Sequence, residues 1–197
     1  MKRTFLVLAF CGLFVLPECN PCRCPDISGE EFFDIEGIEI GHIRSSGGFI
    51  DTDQPIARSE YGGIALSLET EYVAHTVLPS YSLFTSSAFA CSCPDPGWLG
   101  AATESFESIV ITTVNDFDED IRAGDTITDL FLIRYDLDTL SISEFLEADT
   151  GTVRQERYNM TLTADPQNDS LGFAAEVRVM LSNGESYKDT STPVFFQ

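Results

Sequence analysis

The stretch Phe173-Ala174-Ala175-Glu176-Val177-Arg178-Val179-Met180-Leu181-Ser182-Asn183-Gly184 decides the fold class. Phe173, Ala175, Val177, Val179 and Leu181 share one phase of period two, with Glu176 and Arg178 on the other. Successive side chains of a strand point to opposite faces, so this reads as a strand with one buried face. Asn183-Gly184 follows directly and is the strongest short-range signal for a hairpin. A return strand is expected from Tyr187 to Phe196.

Working outward, the same alternation recurs. Ser108–Val114 is rich in β-branched residues, as strands are, and Tyr158, Met160 and Leu162 alternate within Arg157–Ala164. Ile64, Leu66 and Leu68 mark a long strand, or two short ones, over residues 63–77. In Phe32–Ile40, Phe33 and Ile35 keep one phase and Ile38 and Ile40 the other, so a β-bulge is expected at Gly37. Leu130–Tyr135 reads as a strand or a short helix. Ser141-Ile142-Ser143-Glu144 is a capping box that opens a helix of about two turns. Ser45–Gln54, Pro79–Gly100 and the acidic run Asn115–Asp125 read as irregular. Short strands with frequent turn signals predict an antiparallel β-sandwich of Greek-key character, mainly β with one short helix.

The amino terminus predicts export. Met1-Lys2-Arg3 is basic, and the apolar run Thr4–Leu16 fits a secretory signal better than a membrane span, which needs about 20 residues. The segment resembles a bacterial lipoprotein signal, with Leu16 three residues before Cys19, although Pro17 and Glu18 replace the usual small residues. Cysteine parity agrees. A cut before Cys19 removes Cys11, and acylation of Cys19 leaves Cys22, Cys24, Cys91 and Cys93, an even number. The expected organisation is a signal peptide (1–18), a lipidated tether (19–31) and one β-sandwich domain (32–197). A membrane-anchored lipoprotein of the outer membrane follows, facing the periplasm or the cell surface.

The four remaining cysteines form two copies of one motif, Cys22-Arg23-Cys24-Pro25-Asp26 and Cys91-Ser92-Cys93-Pro94-Asp95. An extended CxC points both side chains the same way, so closure within a copy is disfavoured. Disulfides between the copies are expected, either Cys22–Cys91 with Cys24–Cys93 or the crossed pairing. The first bridge would close a loop worth roughly 4 kcal/mol in the chain-entropy model. Spacing by one residue and an oxidising compartment both disfavour a Cys₄ zinc site.

Several segments resemble uncharacterised exported lipoproteins of Bacteroides-type bacteria. They are Pro96-Gly97-Trp98-Leu99-Gly100, Ser108-Ile109-Val110-Ile111-Thr112, Asn115-Asp116-Phe117-Asp118, Ala123-Gly124, Leu130-Phe131 and the tail from Val177 to Gly184 with Thr192-Pro193-Val194. The resemblance implies an exported bacterial protein and supplies no catalytic or binding residue. Asp125-Thr126-Ile127, Asp138-Thr139-Leu140 and Asp169-Ser170-Leu171 resemble the O-glycosylation sequons of such bacteria, which makes Thr126, Thr139 and Ser170 possible acceptors.

The net charge of -21 repels phosphate backbones, so nucleic acid is not an expected partner. Nucleophilic hydrolysis needs a histidine base, and the chain has only His42, read as solvated at a strand end, and His75, read as a half-buried strand residue. No G-x-S-x-G elbow is present. Paired carboxylates carry little specificity in a chain with 32 acidic residues. Asp116, Asp118 and Asp120 alternate as calcium ligands do, but Ile121 and Ile127 stand where an EF-hand needs Gly and Glu. A solvated acidic loop is the simpler reading, with an irregular calcium site as the alternative. The sequence therefore points to a non-enzymatic binding or assembly lipoprotein that takes an envelope protein or glycan. The competing reading is a glycoside hydrolase, or another polysaccharide-acting enzyme, that uses carboxylates alone.

Overall fold

A computed structural model of the chain describes residues 32–73, 97, 99–101, 104–135, 138–148, 153–167 and 171–197. It is mainly antiparallel β. Eight strands are found among the described residues: β1 (Phe32–Arg44), β2 (Tyr61–Val73), β3 (Phe106–Thr113), β4 (Phe131–Tyr135), β5 (Asp138–Ser141), β6 (Arg157–Leu162), β7 (Ala175–Leu181) and β8 (Ser186–Thr190). One sheet has the order β1-β2-β6-β4-β5 and the other β3-β7-β8. The short helix α1 spans Ile142–Ala148.

Both sheets bury apolar faces in one core. Ile64, Leu66, Tyr158, Met160, Phe131 and Ile133 come from the larger sheet, and Ile111, Val177, Val179 and Leu181 from the smaller. The β1 bulge lies where the phase of its isoleucines switches. Pairing with β2 shifts between Ile35 and Gly37, so Glu36 is the extra residue and Phe33, Ile35, Ile38 and Ile40 all face inward. At this corner β1 meets β8 through side chains. Asp189 Oδ2 accepts the Ile40 amide at 2.7 Å, and the Tyr187 hydroxyl donates to the Ile35 carbonyl at 2.8 Å. These contacts engage two backbone groups on the edge of β1, which would otherwise offer them to another strand.

The β7–β8 hairpin forms at Asn183-Gly184, but its loop has three residues. Leu181 and Glu185 close it, and Gly184 takes φ +90°. A type I turn followed by a left-handed glycine gives this geometry. The return strand ends at Thr190, short of the expected Phe196. Beyond it Ser191 Oγ accepts the Ala175 amide, and only single bridges continue, Phe173 with Val194 and Ile56 with Phe196. Of the two readings of Leu130–Tyr135 the strand is the one formed, as β4 over Phe131–Tyr135, and a 3-10 turn over Thr128–Leu130 leads into it. The capping box is formed. Ser141 Oγ accepts the Glu144 amide at 3.2 Å, and Glu144 Oε2 accepts the Ser141 amide at 2.9 Å. The helix buries Phe145 against Phe106 and Tyr158, with ring centroids at 6.0 and 5.6 Å. That burial stabilises the fold by about 2–3 kcal/mol. Phe33 also bridges to Ala101 in parallel, with its amide donating to the Gly100 carbonyl at 3.1 Å.

Candidate functional site

The outer face of the five-stranded sheet has two chemically opposite ends. At one end the exposed residues of β1 and β2 are acidic: Asp34 stands across from Glu71, and Gly37 across from Glu69. Glu36 hydrogen-bonds to Glu71, and this bond with the neighbouring negative charges raises its pKa above the ordinary carboxylate value. Like charges directly opposed weaken a strand pair.

At the other end β2 opens with Tyr61-Gly62-Gly63. The β1–β2 register shifts again there, between Ile43 and Arg44. Gly63 takes φ +138°, and a Cβ on it would lie 2.1 Å from the Met160 carbonyl oxygen. A Cβ on Gly62 would lie 2.6 Å from the Arg44 carbonyl. The two glycines let neighbouring backbone pack closely, and beside them lies a groove of about 200 Å³, walled by Arg44, Ser45, Arg134, Asn159 and Thr161. Arg44 is held by Glu60, Nη1 to Oε2 at 2.5 Å. Arg134 is exposed and has no ionic or hydrogen-bonding partner among the described residues. Asn159 Oδ1 is buried without a partner, which is costly for an amide oxygen. Two residues before Asn159 on the same strand, the Arg157 guanidinium stacks 4.6 Å over the Phe49 ring. Phe49 in turn covers Gly41, where a Cβ would lie 2.7 Å from its ring. The groove can thus offer charged donors from arginine and neutral donors and acceptors from an amide and hydroxyls.

His42 is not solvated as the sequence reading expected. It is 2% exposed, on the inward phase of β1. The reading failed because the strand runs on to Arg44, past the Gly41 taken as its end. Nε2 donates to the Thr192 carbonyl at 2.8 Å, so Nδ1 accepts the Tyr61 hydroxyl at 2.9 Å. Burial lowers its pKa to about 4. A neutral imidazole with both nitrogens engaged pins β1 and β2 to the carboxyl-terminal segment, and it is sealed from solvent. His75 lies outside the described residues.

The acidic loop uses its carboxylates on its own backbone. Asp118 Oδ1 accepts the amides of Asp120 and Ile121, and Asp116 accepts the Ala123 amide and pairs with Arg122 at 3.3 Å. The bond from Ala123 is the main cause of the lowered pKa of Asp116. Asp116, Asp118, Glu119, Arg122 and Gln167 line a cleft of about 260 Å³. Asp116, Asp118 and Asp120 are not gathered as a ligand set: among the described residues no three acidic, histidine or cysteine side chains are placed to hold a metal ion. Thr126 and Thr139 are both exposed, and Thr139 stands directly across from Arg134. Ser170 and the cysteines 19, 22, 24, 91 and 93 lie outside the described residues. No helix among the described residues is long and apolar enough to cross a membrane.

The sequence reading did not single out the groove residues. A signal was there: Gly62-Gly63 at a strand start, and arginines on the exposed phases of strands in a strongly acidic chain. No family model matches the chain, and no match is found among curated proteins or solved structures.

Proposed function

We propose that the chain is an exported binding module, anchored to the envelope through a lipid on Cys19, and that it holds its ligand without transforming it. The observation that carries this reading is the basic groove on the sheet face, whose arginines and amide suit recognition. The competing hydrolase reading would use the acidic cleft. A general acid there needs a raised pKa, whereas Asp116 is pushed down and Asp118 is spent on loop amides.

Disulfides between the two CxCPD copies belong to the same reading. Phe33 and Ala101 pair in parallel, nine residues after Cys24 and eight after Cys93. Parallel flanks nearly in register support Cys22–Cys91 with Cys24–Cys93 over the crossed alternative.

The test is to incubate the exported protein with a panel of immobilised polysaccharides, measuring retention and new reducing ends together. Retention without new reducing ends is expected. Release of reducing ends would overturn the reading in favour of the hydrolase.

A further inference from the structure

We propose that the groove between Arg44, Arg134 and Asn159 binds a single carboxylate-bearing sugar residue, a terminal uronic acid rather than a polyanion. The proposal rests on the binding-module reading and names its ligand class.

Charge sets the first requirement. The chain has 32 acidic residues against 11 lysines and arginines, so a cation finds a carboxylate by default. Arg122, Arg178 and Lys188 do so. Arg134 lines a concave site and has no carboxylate among the described residues. Arg44 is half-engaged, since Glu60 takes one nitrogen of a group that carries five donors. A carboxylate placed between them gains charge-assisted bonds in the fork geometry that arginine favours.

Hydroxyl groups set the second. Asn159, Thr161 and Ser45 line the groove with neutral hydrogen-bonding side chains. An ionised simple carboxylate or a sulfate carries no hydroxyl to pair with them. A sugar acid brings hydroxyls that exchange bonds with Thr161 and Ser45 beside the arginines.

Size and surroundings set the third. A groove of about 200 Å³ is below the usual range of drug-sized sites, and it suits one ring rather than several. The same sheet face turns acidic toward Asp34, Glu69 and Glu71. Charges further than about 8 Å away are largely screened at physiological salt, so one carboxylate can enter. A polyuronate lying along the face would meet the acidic end at close range.

The experiment is calorimetric titration of the exported protein with glucuronate, glucose, acetate, polygalacturonate and an oligo-aspartate peptide. Glucuronate is expected to bind at least tenfold more tightly than glucose or acetate, and more tightly per site than polygalacturonate or the peptide. Arg134→Ala should weaken glucuronate binding about tenfold or more, with an unchanged melting temperature because Arg134 is exposed and has no partner among the described residues. Arg134→Lys should restore part of the affinity. Equal binding of glucose and glucuronate, or an unaffected Arg134→Ala variant, overturns the proposal. Acetate binding as tightly as glucuronate overturns its sugar half, and tighter binding of the peptide or polygalacturonate overturns its choice of ligand. Failure with glucuronate alongside retention of another glycan removes this ligand and leaves the binding-module reading standing.

Discussion

The two ends of the β1–β2 pair differ in charge, and they differ as much in what stands behind their glycines. At the acidic end a Cβ on Gly37 would meet Glu69 Oε2 at 2.3 Å, the tip of a flexible side chain. At the basic end a Cβ on Gly63 would meet the Met160 carbonyl at 2.1 Å, with Thr161 backbone at 3.0 Å. The first glycine sits at a bulge that keeps isoleucines facing inward. The second packs directly against the backbone of β6, beside the groove, and takes a backbone conformation that other residues avoid. Both glycines answer a need of the fold, but only the second is boxed in by backbone that cannot move aside.

The largest expected effect follows from that contrast. Gly63→Ala should cost about 3 kcal/mol or more, from backbone strain and a clash that cannot relax. Gly37→Ala should stay within about 1 kcal/mol, because Glu69 can swing away. Denaturant melts of both variants give the comparison, and equal losses would break it.

Acid should separate the two ends next. His42, beneath the basic end, has a folded pKa of about 4 against an ordinary 6.5. Between those values the unfolded chain takes up a proton that the folded chain refuses, so stability falls as the pH drops. The loss between pH 7 and 5 is expected near 2 kcal/mol. Glu36 runs the other way. Its raised pKa lets the folded chain hold a proton that the unfolded chain has released, so it adds stability as the pH falls through that pKa. Chemical melts across this range should show the fall for the native chain and a flatter curve for His42→Gln. A native profile that does not fall would contradict the buried neutral histidine.

Relief of crowding at the acidic end is a smaller effect. Glu71→Gln removes a charge opposite Asp34 and next to Glu36, and should raise Tm by about 1–2 °C, less in high salt. The same substitution should leave glucuronate binding unchanged, since Glu71 lies at the far end of the sheet face. For the cysteines, non-reducing peptide mapping should find Cys22–Cys91 and Cys24–Cys93. Crossed bridges, Cys22–Cys93 with Cys24–Cys91, would contradict the parallel alignment, and free thiols or bridges confined within each CxC would contradict cross-linking of the two copies.

The fold was largely legible because it rests on period-two burial. The phase switch at Gly37, the capping box at Ser141 and the hairpin at Asn183-Gly184 are local signals, and each is formed. What was not legible depends on pairs distant in sequence. β5 has only four residues and carries no alternation of its own, so it shows only in pairing with β4. His42 looked exposed because the next residues that bury it come from Tyr61, Phe173 and Thr192. The groove joins β1, β2, β4 and β6, with no motif in any of them. A site built from single side chains of four separate strands leaves little trace along the chain.

The central claim is that the basic end of this face, and not the acidic end, is where a ligand sits. Amide chemical-shift mapping of the protein during a glucuronate titration tests it most directly. The account predicts saturable shifts at Ser45, Gly62, Asn159 and Thr161, with Asp34, Glu36 and Glu71 unmoved. Shifts confined to the acidic end, or to the Asp116–Arg122 loop, would contradict it.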